Sequence, residues 1–482
     1  MASLGDLATC IGLPSPDSWH SVGITGVTDD SRDAQPGWLF AAISGAQHDG
    51  ADFVEDAQRR GAAAVICERP CDANVPVLVV PDSRAALAAV VAEIYGHPTR
   101  SLFTSGVTGT NGTTTVCHIA AHLLGTNTSV IGTVANENRG LRAITTPKST
   151  IVQSIARDAL GAGRRNLVIE ASSIGLAQHR LDAIDFDAAV FTNLSRDHHD
   201  FHGDREAYLT AKASLFRGLK PDAAAIVHAG DPAASTILDA STGRSLTFAV
   251  DCDADLVAQD VRLAGYAVHF RVASRGERAE VLLPLPGRHN VENGLAAIGI
   301  GLAAGMSLDE LAARARSVPG VPGRCQVFRR SDGVTAVVDF AHSPDALARM
   351  LAFLATAHRR IIAVFGCPGA SDRGKRKQMG EIAGRLAGFT IITSDNPKYE
   401  DPGAIADEIA VGIVRAGGRY ERVLDRAKAM DVAVANARPE DVVLVAGKGH
   451  ETYQIVEDCF EAYSDEAVLR ELGFVPLAAD AA

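Results

Sequence analysis

No apolar run in the 482 residues approaches the length of a membrane-spanning helix, and Met1 to Gly12 lacks a basic segment followed by an apolar one. Neither a membrane span nor export is expected, and the chain reads as cytoplasmic. Positive charge is in deficit: 46 Lys and Arg against 58 Asp and Glu leave a net charge of −12. No broad basic face is therefore expected for nucleic acid, although a small pocket with local Lys and Arg stays open to an anionic ligand. Cysteine is unpatterned as well. The eight thiols are scattered, and the nearest pair, Cys67 and Cys71, has no partners at zinc-ligand spacing. They read as reduced thiols, none of them catalytic. No internal repeat is visible, and only the Ala-rich tail Ala478 to Ala482 looks disposable.

Apolar residues, by contrast, are plentiful at 47%, with 22% charged, which is the balance of a packed soluble protein and excludes long disorder. The length exceeds one hydrophobic core and points to about two to four domains. Short runs such as Ala62 to Ile66, Leu167 to Ile169, Ala188 to Phe191, Ile361 to Phe365 and Val442 to Val445 read as buried strands. Helical stretches such as Asp82 to Tyr95 and Gly380 to Ala387 lie between them, so the expected class is α/β with mainly parallel sheets. Gly96-His97-Pro98-Thr99 and Pro319-Gly320-Val321-Pro322-Gly323-Arg324 punctuate the chain. They divide it into expected domains 1–97, 98–318 and 319–482.

Chemistry gathers first at Leu102 to Val107, a strand that runs into Thr108-Gly109-Thr110-Asn111-Gly112-Thr113-Thr114-Thr115 and then a helix through Leu124. Strand, Gly-rich turn and helix amino terminus make an anion site, because free N–H groups and the helix dipole converge. A nucleotide loop wants Gly-Lys-[Ser/Thr], with the lysine on the β and γ phosphates and the hydroxyl on Mg²⁺. Thr114 keeps the hydroxyl, but Thr113 brings no charge.

Thr-Gly-Thr-Asn-Gly-x-Thr-Thr is similar to the nucleotide loop of the Mur ligases, above all of the synthetases that add the third residue of the peptidoglycan stem. In that family x is lysine. The resemblance implies three α/β domains: an amino-terminal UDP-binding domain, a central P-loop-type ATPase domain and a Rossmann-like carboxyl-terminal domain that binds the amino acid. It also implies ATP and Mg²⁺ as cofactors, with a UDP-linked acyl substrate and an amino acid as partners.

The matches extend along nearly the whole chain. Asp29-Asp30-Ser31-Arg32, Pro36 to Phe40 and Gly45 to Gly50 would by themselves be a turn, a strand and a loop; they resemble the uridine-diphosphate segment, with Ser31 by the uridine. Thr145-Thr146-Pro147, Ser172, Gln178 and Arg180 match substrate-binding positions. Glu170, at the carboxyl end of a strand near the phosphate loop, stands where Mg²⁺ is expected. The family has histidine where this chain has Ile174. Asn193-Leu194-Ser195-Arg196-Asp197-His198-His199-Asp200-Phe201-His202-Gly203 resembles a family segment in which His198 is a Mg²⁺ ligand. Lys212 is by itself a solvated lysine on an amphipathic helix; the resemblance makes it a carbamylated, anionic ligand of a second Mg²⁺.

Asn290 and Asn293 fall in a segment similar to one near the adenine, while Arg324 and Asp339 to Leu347 match positions through which the third domain closes over the nucleotide. Phe340 replaces a common tyrosine. In the third domain Ser371 and Lys398 stand where diaminopimelate-adding members have arginines, and lysine lacks the planar fork that grips carboxylate. Asp395, Asn396, Gly447 and Glu451 are retained, Glu451 to hold an amino-acid ammonium. Lys148 is a candidate substitute for the missing loop lysine. Two readings stay open: an amide ligase acting on the cell-wall precursor or, as a paralogue, on a related acceptor, which the retained metal-ligand set favours; and a catalytically impaired ligand-binding homologue, which Thr113 and Ile174 favour.

Overall fold

The computed structural model describes residues 2–45 and 48–477. Ala46 and Gln47 of the expected uridine segment and the Ala478 to Ala482 tail lie outside the described residues.

Three large sheets follow one another along the chain, beside two two-stranded ones (Ala2–Ser3 with Gly23–Ile24, and Tyr453–Val456 with Cys459–Ala462). The first is parallel, ordered β1 (Gly26–Thr28), β2 (Trp38–Ala41), β3 (Ala64–Cys67), β4 (Val77–Val79), and is packed by α1 (Ser83–Tyr95). Asp82 starts α1 by accepting the amides of Arg84 and Ala85, and Gly96 ends it in the left-handed region.

The central sheet has nine strands in the order β13-β12-β11-β10-β9-β8-β5-β7-β6. They are β5 (Phe103–Thr108), β6 (Thr128–Ile131), β7 (Asn166–Glu170), β8 (Ala188–Phe191), β9 (Ala224–His228), β10 (Arg244–Val250), β11 (Leu256–Ala264), β12 (Ala267–Ser274) and β13 (Glu277–Leu283). Helices α2 (Thr113–Leu124), α3 (Arg205–Arg217) and α4 (His289–Ala303) belong to the same region. Strands β5 to β11 pair in parallel, and the apolar runs of β5, β7, β8 and β9 fit strands covered on both faces. An antiparallel meander, β11 to β13, extends the sheet and was not among the expected strands. Apolar residues on both faces form two cores, one centred on α2 and α4, the other reaching α3.

The third sheet runs β18-β17-β16-β19-β15-β14-β20: β14 (Gln326–Arg329), β15 (Thr335–Asp339), β16 (Arg360–Phe365), β17 (Phe389–Ile392), β18 (Tyr420–Arg422), β19 (Asp441–Ala446) and β20 (Val475–Pro476). It carries α5 (Pro344–Leu354), α6 (Gly374–Leu386) and α7 (Pro402–Arg415), and has an apolar core on each face. Helix α6 begins six residues before the expected Gly380, because its first turn, Gly374-Lys375-Arg376-Lys377, shows no apolar periodicity. Asp372 accepts the Gly374 amide at 2.8 Å and starts it. Among the described residues, no helix is long and apolar enough to cross a membrane.

Candidate active site

The site grows from the middle of the central sheet. Strand β5 lies between β7 and β8, and the chain leaves the three carboxyl ends side by side: Val107 pairs with Glu170, and Thr108 with Phe191. Such a point, where neighbouring connections diverge, opens a crevice for ligands. The Gly109 to Thr115 loop fills its floor and enters α2 at Thr113. Gly112 makes that entry with φ +86°, and a Cβ there would fall 2.3 Å from Asn293 Oδ1, so only glycine fits. Around the loop is a cavity of about 310 Å³. It is lined by Gly109 to Thr115, Thr145, Glu170, Ser172, His198, Lys212, Asn290, Asn293, Arg324 and Asp339.

Glu170 is buried, and its carboxylate is fully used. Oε1 accepts the hydroxyls of Thr113 and Thr114, each at 2.7 Å, and Oε2 accepts the Thr133 amide and hydroxyl, each at 2.9 Å. Four donors offset the loss of water around a buried charge. Thr133 also meets Thr145 Oγ1 at 3.1 Å, while Thr146 Oγ1 donates to Glu170 O at 2.7 Å. The expected substrate motif, Thr145-Thr146, is thereby tied to the Gly109 to Thr115 loop through Glu170. Ser172 receives Thr146 Oγ1 at 2.9 Å, and Arg180 donates to the Thr146 carbonyl and to Gln178 Oε1, each at 2.5 Å.

A second cluster stands opposite. Asp197 lies 3.7 Å from both His198 Nε2 and His342 Nε2. Burial disfavours its charge, but the facing imidazoles and Lys375 outweigh that and hold its pKa well below the usual carboxylate range. Lys212, on α3, donates Nζ to the Gly109 carbonyl at 2.7 Å and lies 4.3 Å from the Tyr208 ring centre. Burial lowers its pKa to about 7. Thr110 Oγ1 meets the Tyr208 hydroxyl at 3.2 Å, and Asn111 Nδ2 donates to Ser195 Oγ and Asp345 Oδ2, each at 3.2 Å. Asn293 Nδ2 donates to Asn290 Oδ1 at 2.8 Å, which fixes that pair beside the loop.

Arg324 arrives from the linker just before the third sheet. Its Nη2 donates to Thr114 Oγ1 at 3.0 Å, and its guanidinium lies 4.2 Å from the Phe340 ring centre. Asp339, at the end of β15, accepts the amides of Cys325 and Ala341 at 2.6 and 2.8 Å. Burial raises its pKa, against the charge of Arg324.

The residues expected to bind the amino acid form a separate group at the ends of β17 and β19, outside the lining of this cavity. Asn396 Nδ2 and Lys448 Nζ donate to Glu451 Oε2 at 2.9 and 2.8 Å, and Lys448 also reaches Asn396 Oδ1 at 2.9 Å. Gly447 is pressed against Asp395, where a Cβ would lie 2.6 Å from Oδ2. Lys398 lies one turn on, its amide bonded to Ile455 O at 3.0 Å, and lines a different surface pocket. Ser31 sits in the first domain, buried in the short turn Ser31–Asp33 and outside the central cavity.

Lys148 corrects an expectation. Its ammonium pairs with Asp29 at 2.8 Å, bridging the first domain to the Thr145-Thr146-Pro147 segment, and it does not line the cavity. Its place beside Pro147 in sequence set its backbone near the site, but its side chain follows the nearest carboxylate. The expected metal ligands also divide: Thr114 with Glu170, His198 with Asp197, and Lys212 with a backbone carbonyl. Among the described residues no three His, Cys, Asp or Glu side chains form a metal-ligating group. Thr133, Tyr208 and the His342–Asp197 contact had no assigned role in the sequence. Thr133 follows a short strand with no motif of its own, and only the fold brings it to Glu170.

Comparisons with known proteins agree along the whole length. Family models match in chain order: "Mur ligase family, catalytic domain" over residues 23–95, "Mur ligase middle domain" over 107–301, and "Mur ligase, glutamate ligase domain" over 323–449. The UDP-N-acetylmuramoyl-L-alanyl-D-glutamate–2,6-diaminopimelate ligase of Geobacillus thermodenitrificans is 38% identical over 455 residues, covering 92% of this chain and 93% of that one. The ligase of the same name from Streptomyces coelicolor is 40% identical over 486 residues, covering 97% and 96%. A solved structure of a ligase of that name superposes with a TM-score of 0.69 at 33% identity over 98% of both chains. The fold is shared more widely, as with the Thermotoga maritima MurF ligase solved with ADP, at a TM-score of 0.63 and 22% identity over 89% of this chain and 94% of that one. The chain belongs to the Mur ligase family of ATP-dependent carboxylate–amine ligases.

Proposed function

We propose that this ligase activates a carboxylate of UDP-N-acetylmuramoyl-L-alanyl-D-glutamate, or of a closely related acceptor, as an acyl phosphate and joins it to the amine of an amino acid. One observation carries the reading: the phosphate loop, Glu170, the Asn290–Asn293 pair and Arg324 from the second linker all face one cavity. The lining of the cavity suits the phosphates of a nucleoside triphosphate. The amino terminus of α2 offers N–H groups and a dipole, and Gly112 lets the backbone approach without a Cβ. Thr114 Oγ1 and Glu170 Oε1, 2.7 Å apart, are a hydroxyl and a carboxylate that would hold Mg²⁺. Mg²⁺ bound there supplies charge neutralisation across the transferring phosphoryl group.

The chain's own residues then position and shield. Thr145 and Thr146, locked to Glu170 through Thr133 and the strand backbone, set the acceptor carboxylate beside the loop. Its oxygen attacks the γ-phosphorus, ADP departs, the amine attacks the acyl carbon, and inorganic phosphate leaves. Positioning at this level contributes more than any single group. Glu451 and Asn396 are our candidates for the amino-acid ammonium and carboxylate. Ser371 and Lys398 remove two arginine forks, so the amino acid is held differently from diaminopimelate. We place the reaction in the cytoplasm, where the eight unpaired cysteines would stay reduced.

The test is phosphate release and product mass with purified protein, Mg²⁺, ATP, the UDP-linked dipeptide and a panel of amino acids. Amide product with at least one amine is the expected result. Tight binding of the UDP-linked substrate without phosphate release for any pair would leave the second reading, a ligand-binding homologue. Thr113 favours that reading, because its hydroxyl is tied to Glu170 at 2.7 Å and carries no charge.

A further inference from the structure

Two of the eight cysteines lie against each other in the first domain, away from the central cavity. Cys67 is buried at the end of β3, and its Sγ lies 3.8 Å from that of Cys71. Both are free thiols. A disulfide holds its sulfurs about 2 Å apart, so one sulfur must travel nearly that far for the bond to form. Cys67 cannot supply the movement. Its carbonyl accepts the Val80 amide at 2.9 Å, and the residue is in register with Val79 of β4. Cys71 can. It sits half-buried in the irregular stretch 68–75, and among the described residues 69–73 make no backbone–backbone hydrogen bond.

The residues between the two thiols hold other parts of the domain. Glu68 Oε1 accepts the amide and the hydroxyl of Ser83, the first residue of α1, at 3.0 and 2.9 Å. Arg69 Nη2 pairs with Asp49 Oδ2 at 2.5 Å. Asp49 Oδ1 in turn accepts the Ala51 amide at 3.0 Å and starts the turn Gly50–Phe53. A bond from Cys67 to Cys71 shortens the span that carries Glu68 and Arg69, so both must shift with Cys71. The pull on Arg69 falls on Asp49, which lies in the Gly45 to Gly50 segment expected at the uridine diphosphate.

We propose that Cys67 and Cys71 form a reversible redox modification site, at which a low-molecular-weight disulfide such as oxidised glutathione converts the two thiols to a disulfide and displaces the Asp49 segment. In the reducing interior proposed above both rest as thiols, and the exchange responds to a rise in the small disulfide. Burial and the neighbouring thiol push the Cys67 thiol up to about 12, so exchange starts at Cys71. The Cys71 thiolate attacks one sulfur of the small disulfide and expels a small thiolate. Cys67 then attacks the Cys71 sulfur of the mixed disulfide and expels the second. One small disulfide is reduced to two small thiols, which take up the two protons, and two protein thiols are oxidised to one disulfide. A consequence for the acceptor follows, weaker binding in the oxidised state; that consequence rests on the proposed UDP-linked substrate docking its uridine end on the first domain.

The full chain is equilibrated with graded ratios of reduced to oxidised glutathione, free thiols are blocked with iodoacetamide, and peptides are mapped by mass spectrometry. An internal Cys67–Cys71 disulfide, reversed by dithiothreitol, is the expected result. Cys67→Ser should stall at a glutathione adduct on Cys71, and Cys71→Ser should leave Cys67 unmodified, while the exposed Cys10, Cys252 and Cys459 take adducts in every variant. Melting temperatures check folding, and Cys71→Ser, at the less buried position, carries the test if Cys67→Ser does not fold. A stable adduct on Cys71 beside a free Cys67 thiol in wild type, or Cys67 reacting like the exposed thiols, overturns the site. Hydrogen exchange over residues 49–53 reads the displacement without any substrate: protection should fall on oxidation of wild type and hold in Cys71→Ser. Unchanged exchange once the disulfide has formed overturns the proposal. Calorimetry with the UDP-linked dipeptide should show affinity lowered by about fivefold on oxidation, the weight of one surface ion pair, with β,γ-imido-ATP affinity unchanged. Reduced protein that does not bind the dipeptide overturns the acceptor reading and its consequence here, and the mapping and exchange still decide the redox site.

Discussion

Lys212 is a lysine placed where its charge has little support. Its Nζ is enclosed, its hydrogen-bond partner is a backbone carbonyl, and burial lowers its pKa from 10.5 to about 7, with Asp197 only partly opposing the fall. A neutral amine is the form that adds CO₂, so at pH 8 most Lys212 is reactive, whereas an ordinary lysine is almost wholly ammonium. Carbamylation should appear as a new carbonyl signal after equilibration with ¹³C-bicarbonate, strong at pH 8, fading below pH 7 and missing in Lys212→Met. If the signal persists unchanged in Lys212→Met, another amine is responsible. The same shift has a stability sign. The folded state releases the proton at lower pH than the unfolded chain, so in CO₂-free buffer stability should rise with pH between 7 and 10.5, by at most about 1.4 kcal/mol per unit. Lys212→Met should flatten that rise, as urea midpoints at pH 7 and pH 9.5 would show. Glu170 lies at the other extreme, a carboxylate with four donors. Glu170→Gln should cut turnover by roughly 10²–10³, measured as phosphate release.

At the scale of elements, local signals were readable and contact-dependent ones were not. Parallel strands buried on both faces show as apolar runs, so Ala188 to Phe191 is the strand it reads as, and Leu167 to Ile169 extends by one residue at each end to Asn166–Glu170. Glu170, at the carboxyl end of such a strand, could be singled out for the same reason, whereas Asp339 was reached only through the family resemblance. Strands β11 and β13 were not legible, because about half of their residues face solvent and their register depends on β12 between them. The first turn of α6 reads as polar surface, yet Arg376 is buried there by ion pairs with Glu400 at 2.9 Å and Glu408 at 3.2 Å. Charge predicts exposure only when no partner waits inside. The second linker illustrates what punctuation does reveal: its Pro and Gly residues marked a boundary, and Gly323 has a physical reason to be glycine. Gly323→Ala forces a left-handed φ on alanine against a backbone that cannot yield, so it should cost about 1–3 kcal/mol. Thermal unfolding measures that cost. Loss of triphosphate affinity with AMP affinity preserved would show that the linker acts by aiming Arg324; unchanged melting and affinity would refute the constraint.

Across the whole molecule, function depends on three sheets keeping their ends turned toward one another, and the bonds that hold them are few. Asn111 to Asp345, Arg196 to Asp372 at 3.3 Å and Thr452 to Glu137 at 3.0 Å tie the third domain to the central one. Lys148 to Asp29, with Arg157 donating to the Tyr95 carbonyl at 2.8 Å, ties the first domain to the central one. The Lys148 pair is half-exposed and is worth about 1 kcal/mol or less. It therefore acts on alignment more than on stability. It joins the Asp29 to Arg32 segment, our candidate for the uridine end of the acceptor, to Thr145 and Thr146 at the reacting end. Lys148→Ala should raise KM for the UDP-linked acceptor by up to about fivefold, the equivalent of 1 kcal/mol, while affinity for β,γ-imido-ATP stays at the wild-type value. The effect should diminish in high salt, as screening weakens the wild-type pair. A fall of about tenfold or more in triphosphate affinity would instead make Lys148 the loop's replacement cation, and its pairing with Asp29 a state that nucleotide must break.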